Sequence, residues 1–182
     1  MTLKLVAVYP DAYVFVEPDP KERDKKRLTI SCHGEKTGVM INGTYFGALG
    51  VAQLIRGWAA SIANLHSVRM IICGSADPGS SMTIKPLAME LSAQLRDILI
   101  KGYVRKVAAN CAFPTVYDCF CTYGRQAVEY GLSCFSISKD DPLYHFHSVV
   151  FLNGVQVKQT MNGHDFVTLG YDGKARPFGL YK

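Results

Sequence analysis

Arg27-Leu28-Thr29-Ile30-Ser31-Cys32-His33-Gly34 and its echo Val68-Arg69-Met70-Ile71-Ile72-Cys73-Gly74 decide how this chain is read. Each is a short apolar, β-favouring run that stops at a reactive side chain followed by glycine. A run of this kind reads as a buried strand entering a loop. If the two strands are parallel neighbours, His33 and Cys73, 40 positions apart, emerge side by side at their carboxyl ends. Open α/β sheets hold their active crevice at that edge. A histidine beside a cysteine is the minimum equipment for a thiolate nucleophile. Gly34 and Gly74 let a substrate backbone approach and leave amide N–H groups for an oxyanion. The loop after Cys73 leads to a helix N-terminus, whose dipole would modestly favour a thiolate.

Working outward, residues 3–9 and 12–17 read as two strands separated by Pro10-Asp11, a turn signal. Pro18-Asp19-Pro20 ends the second. The charge run 21–27 is a solvated loop or one wall of an anion site. Residues 38–43 end in Asn42-Gly43, a hairpin signal because both residues tolerate positive φ. A helix follows, with Leu49, Ala52, Ile55 and Ala59 toward the sheet, Gln53 and Arg56 away from it, and Trp58 in a packing role. After the strand 68–72, a loop over 74–81 precedes a second helix. Its stripe is Ile84, Leu87, Leu91, Leu95 and Ile98. Pro86 fits its first turn, Ser81 or Thr83 caps it, and Gly102 ends it. A strand over 103–109 comes next. Residues 28–109 thus read β, hairpin, α, β, α, β, which implies parallel strands with right-handed crossovers. In the last third, residues 125–130 suggest a short helix. Residues 148–160 and 165–178 suggest antiparallel strands turning at Asn153-Gly154, Asn162-Gly163 and Asp172-Gly173.

The chain of 182 residues reads as a single α/β domain over 1–182, with a core over about 1–110 and a β-rich extension over about 111–182. A hydrophobic fraction of 48% with only 19% charged residues excludes a disordered chain. A net charge of +5 and a pI near 8.9 suit an anionic partner without marking a nucleic-acid binder. No apolar run approaches the roughly 18 residues that span a bilayer. The N-terminus is too short and too β-branched for a secretion signal and reads as the first strand. Cysteines at 32, 73, 111, 119, 121 and 134 are irregularly spaced, as expected of unbridged thiols in a reducing compartment.

Ile30-Ser31-Cys32-His33-Gly34 resembles the histidine strand of the caspase-like cysteine peptidases. Those comprise caspases, legumain, clostripain, gingipain and the autoprocessing domains of large bacterial toxins. Arg69-Met70-Ile71-Ile72-Cys73-Gly74-Ser75 resembles the cysteine strand of that group. The helix at 84–99 and the strand at 101–109 are similar to the toxin-type domains and related secreted effectors, so the likeness covers roughly residues 28–109. Ile72 stands where many members carry a small or acidic residue. The resemblance implies a caspase-like, mostly parallel central sheet flanked by helices, with a β-rich C-terminal extension. It implies a cysteine endopeptidase of a bacterial toxin or effector, cutting a host protein or its own parent chain in the reducing cytosol of a target cell. Cys73 would be the nucleophile and His33 the donor of a proton to the leaving amine. The Gly34 and Cys73 amides would form the oxyanion hole. No cofactor is required for that chemistry. An inositol polyphosphate activator is implied at a basic patch to which Lys101, Arg105 and Lys106 contribute.

Two other classes of function stay open on the residues alone. In the first, Cys73 is an ordinary strand-end thiol, and the chain is a non-catalytic binding module with partner contacts on the aromatic segment 113–146. In the second, Cys111, Cys119, Cys121 and Cys134 with His145 and His147 hold a metal. One residue separates Cys119 from Cys121 and His145 from His147, whereas structural zinc pairs usually leave two to four. On a strand, however, positions i and i+2 share a face. Asn162-Gly163-His164-Asp165 is first a turn, with His164 an alternative base for a cysteine. Lys21, Arg23, Lys25, Lys26, Arg27, Arg69 and Arg96 complete the basic set, which a solvated surface also explains.

Overall fold

The computed structural model of the chain describes residues 3–77, 84–138, 147–161, 164–167 and 180–181. Its centre is a nine-stranded sheet in the order β1-β2-β3-β6-β7-β10-β11-β12-β13. The strands are β1 (Lys4–Tyr9), β2 (Ala12–Pro18), β3 (Lys26–Cys32), β6 (Leu65–Ile71), β7 (Leu99–Tyr103), β10 (His147–Leu152), β11 (Val155–Met161), β12 (His164–Val167) and β13 (Leu180–Tyr181). Two short pairs stand apart: β4 (Gly38–Ile41) with β5 (Thr44–Gly47), and β8 (Ala108–Ala109) with β9 (Ile137–Ser138). The helices are α1 (Ala48–Ala59), α2 (Leu87–Gln94) and α3 (Phe113–Leu132).

The α/β class stands, but the sheet is mixed rather than mostly parallel. Among the described residues only β3–β6 and β6–β7 are parallel, and every other pairing in the sheet is antiparallel. The two crossovers β3-α1-β6 and β6-α2-β7 step in the same direction along the sheet. Right-handed connections therefore put both helices on one face. There Val51, Ala52 and Ile55 of α1 and Leu87, Ala88 and Leu91 of α2 pack on Leu28, Ile30, Val68, Met70 and Ile100. The opposite face is partly covered by α3, whose Val116, Val128 and Leu132 pack on Leu5, Tyr13 and Phe15.

Several boundaries differ from the sequence pattern for local reasons. Leu49 is 58% exposed and Val51 takes the buried position, so the stripe of α1 is rotated from the expected one. Trp58 packs against the core. The second helix is shorter than its apolar stripe. Pro86, extended at ψ 148, is its N-cap, and Leu95 leaves helical geometry. Asp97 then turns with φ 61. Consequently β7 begins at Leu99, and Gly102 lies inside a strand instead of ending the helix. It is small for a reason: a Cβ there would come within 2.8 Å of the Ala88 Cβ on α2. The strand expected over 103–109 is reduced to Ala108–Ala109, paired outside the main sheet. The short helix expected at 125–130 is the second half of the longer α3, broken at Gly124. Ser81, Thr83 and the turns Asn162-Gly163 and Asp172-Gly173 lie outside the described residues.

The β-rich C-terminal part continues the main sheet: β10 pairs with β7, turns at Asn153-Gly154 and returns as β11. At the other edge α3 seals β1. Glu129 Oε1 accepts the Leu5 N–H at 2.8 Å and Arg125 donates to the Leu5 carbonyl, next to a bulge in the strand. Satisfying an edge strand with side chains removes a template for unwanted pairing.

Candidate active site

The parallel pair β3–β6 sets the site. Five successive pairs, from Arg27↔Ser67 to Ser31↔Ile71, hold one register. The last pair, Ser31↔Ile71, lies two residues before His33 and Cys73, so each follows the carboxyl end of one of two adjacent parallel strands. Strand alternation decides the faces. Cys32 and Ile72 point into the core beneath α1 and α2, so His33 and Cys73 belong to the other face. There Cys73 packs with Ile71, Tyr103, Val107 and Phe135. Cys32 is chemically quiet: it is 3% exposed, and burial pushes its thiol up to about 12.

Beyond His33 the chain turns through the hairpin β4–β5. The Met40 N–H donates to the His33 carbonyl and the Glu35 N–H to the Gly38 carbonyl, both at 2.9 Å. These flanking bonds make Gly34↔Val39 a non-hydrogen-bonded pair, so the Gly34 N–H stays out of this ladder. Only glycine fits at 34, because a Cβ would lie 2.5 Å from Ile72 Cγ2 and 2.8 Å from the Gly38 carbonyl. The hairpin tip is pinned by Asp11, whose carboxylate accepts the Asn42 and Gly43 N–H groups at 2.7 and 2.8 Å.

The Cys73 side is tied down differently. The Cys73 thiol donates to the Val107 carbonyl and its sulfur accepts the Val107 N–H, both at 3.5 Å. Gly74 takes φ +68, a left-handed conformation that suits glycine. Its N–H donates to the Arg105 carbonyl at 2.8 Å. Ser75 is buried; its hydroxyl accepts the Tyr103 N–H at 3.0 Å and its carbonyl accepts the Ala88 N–H at 2.9 Å. Asp77 accepts the Arg105 N–H at 2.7 Å. The thiol is half-buried under residues 105–107, and the amide after it is already committed. His33 is exposed and packs edge to face on Phe113, with ring centroids 4.8 Å apart.

The basic residues divide into two groups. Arg105 and Lys106 are exposed beside the Cys73 loop. Lys101, four residues earlier in the chain, stands instead in a row with Arg69 and Thr29 across three strands. The three residues expected to share one patch are therefore split. Glu17 Oε1 bridges Arg69 at 2.8 Å and Arg27 at 3.1 Å. Arg69 lies over the Phe135 ring at 5.1 Å and Lys101 over the Tyr103 ring at 5.7 Å. A cavity of about 120 Å³ opens here, lined by Asp19, Lys21, Arg27, His66, Lys101 and Lys158. Burial, and then the charges of Arg27, Arg69, Lys158 and Lys21, pull the Lys101 ammonium down to about 8.

The metal reading finds no support among the described residues, where no group of three or more His, Cys, Asp or Glu is placed to hold an ion. Cys119 and Cys121 lie on the helix α3, not on a strand. All six cysteines are unbridged thiols. His145 lies outside the described residues, as do the side chains of His147 and His164. No described helix is long and apolar enough to cross a membrane. Phe113, Val107 and Glu17 border these sites without any local sequence signal, because their contacts join residues 80, 34 and 52 positions apart in the chain. No family model, curated protein or solved structure matches the chain.

Proposed function

We propose that the chain is a cysteine endopeptidase of caspase-like type, of the kind carried by bacterial toxins and effectors, with Cys73 as nucleophile and His33 as proton donor. The observation that carries this reading is the parallel register of β3 and β6, whose last pair, Ser31↔Ile71, lies two residues before His33 and Cys73. The thiolate attacks a peptide carbonyl carbon, and the oxyanion that forms takes the Gly34 N–H. As the C–N bond breaks, the amine leaves with a proton from His33 and the acyl group stays on Cys73 as a thioester. Water, losing a proton to His33, then adds its hydroxyl to the acyl carbon, releasing the acid and restoring the thiolate beside a protonated His33. In the described arrangement Val107 must move off the sulfur before a carbonyl can reach it.

An anionic activator such as inositol hexakisphosphate has its best seat in the Lys101 cavity, with Arg27, Lys21 and Lys158, rather than at Arg105 and Lys106. Five basic side chains, counting Arg69, gather there with the carboxylates of Glu17, Asp19 and Glu22 among the described residues. Ser148 Oγ is buried on the same face with no hydrogen-bond partner among the described residues.

The test is competitive labelling with a peptidyl acyloxymethyl ketone, with and without inositol hexakisphosphate. Accessibility alone predicts that exposed Cys121 and Cys134 react before half-buried Cys73. A Cys73 that reacts first, and loses that lead in His33→Ala, supports the peptidase. If Cys73 stays slow in both conditions, the bonds to Val107 and Arg105 are its resting role, and the chain is a binding module.

A further inference from the structure

The imidazole of His33 is exposed and makes no hydrogen bond among the described residues. No described carboxylate touches it. In a nucleophile–base pair the base is ordinarily oriented by a third, polar group, and nothing of that kind contacts His33 among the described residues. Its ring neighbour is Phe113, at 4.8 Å with the ring planes 76° apart. Edge-to-face geometry of this sort is one of the preferred arrangements of paired rings.

Phe113 is itself held from two sides. It opens α3 and is followed by Pro114, whose locked φ suits the first turn of a helix. Its ring meets Tyr13 at 5.9 Å. Tyr13 is wholly buried on β2, stacks on Phe15, and donates its hydroxyl to the Cys111 carbonyl at 2.8 Å, two residues before Phe113. A rigid path thus runs from the sheet interior through Tyr13 and Phe113 to the His33 ring.

We infer that Phe113 is the positioning residue for His33, fixing the imidazole plane at the carboxyl end of β3 where a carboxylate would otherwise do so. An aromatic orienter restricts the ring without accepting a proton from either nitrogen, so both nitrogens stay available to solvent and substrate. That suits a histidine that gives a proton to a leaving amine and takes one from water. The catalytic consequence rests on the peptidase reading; the ring contact does not.

The experiment separates the two. His33 ring protons are assigned by NMR through their loss in His33→Ala, then followed against pH in the unmodified chain, Phe113→Leu and Phe113→Tyr. Alkylation of Cys73 by iodoacetamide is timed in the same samples. We expect a nuclear Overhauser effect between the His33 and Phe113 rings and His33 signals displaced by the Phe113 ring current in the unmodified chain. Those signals should move to the position of an exposed histidine in Phe113→Leu and return in Phe113→Tyr. Alkylation should slow about tenfold in Phe113→Leu near neutral pH, lose its His33 inflection, and recover in Phe113→Tyr, since a small misplacement of a reacting group costs up to 10²-fold. Absence of the Overhauser effect overturns the contact without any substitution. A shift in the His33 signals with an unchanged alkylation profile overturns the positioning role. Alkylation that ignores His33→Ala sinks the peptidase reading and leaves the ring contact standing.

Discussion

Lys101→Met is expected to stabilise the protein near neutral pH and to lose that advantage in alkali. Lys101 shares its neighbourhood with Arg69 on β6, Arg27 on β3, Lys158 on β11 and Lys21, against the carboxylates of Glu17, Asp19 and Glu22. Its ammonium falls from 10.5 to about 8, first through burial and then through those cations. Each tenfold loss of proton affinity corresponds to about 1.4 kcal/mol, so charging Lys101 in the folded state costs at most about 3.5 kcal/mol. Solvent screening of the half-buried side chain and its contact with the Tyr103 ring offset part of this, leaving about 1–2 kcal/mol for the substitution to recover. Methionine keeps the apolar stem, so packing changes little. For a domain of this size the gain is about 4 °C in Tm. The sign follows from linkage. Between about 8 and 10.5 the unfolded chain holds the Lys101 proton and the folded chain does not, so native stability rises with pH across that window. The difference between Lys101→Met and the native chain should therefore be full at pH 7 and fade toward pH 10. Thermal melts read by circular dichroism at several pH values test this. A lower Tm for Lys101→Met at pH 7 would refute the reasoning, and so would a gain that does not depend on pH.

Gly34→Ala should lower the urea midpoint by an amount equal to about 1–3 kcal/mol, the usual cost of overpacking, since its methyl would meet Ile72 and the Gly38 carbonyl at under 3 Å; an unchanged midpoint would show that the hairpin yields. Glu17→Gln should cost about 2–3 kcal/mol in the same assay, because one oxygen serves Arg27, Thr29 and Arg69, and a neutral result would mean that the guanidiniums find other partners. Asp11→Ala removes two acceptors from an exposed hairpin tip, so about 1 kcal/mol should go, together with faster hydrogen exchange at Asn42 and Gly43. In the native protein at pH 8, iodoacetamide should label Cys121 and Cys134 but spare Cys32, whose thiol is buried and pushed up to about 12. Mass spectrometry showing Cys32 labelled without denaturant would contradict the packing of β3 beneath α1.

How much was legible in the sequence varies with the range of the force involved. The strand 28–32 and its echo 68–72 announced themselves because an apolar run closed by glycine is a local pattern; the structure starts both earlier, as Lys26–Cys32 and Leu65–Ile71, and ends the second one residue short. The turn at Asn42-Gly43, with φ 52 and 70, was equally plain, since left-handed backbone selects its residues directly. The second helix misled because Leu95 and Ile98 continue its apolar stripe while Asp97 breaks the backbone. Periodicity reports burial, and a buried loop end satisfies it as well as a helix does. Splitting Lys101 from Arg105 required the register of β7 on β6, which no local signal contains.

The sequence by itself determined the α/β class, the two parallel strands and the place of His33 and Cys73 just past their ends. These follow from side-chain alternation, glycine positions and the handedness of crossovers, all encoded within a few residues. Only the tertiary structure decided what surrounds that pair. Val107 closes on the thiol, Phe113 meets the imidazole, and Glu17 is shared by Arg27 and Arg69. Each contact joins elements placed together by the packing of the whole sheet, and burial free energy depends on which surfaces meet, not on how far apart they lie in the chain.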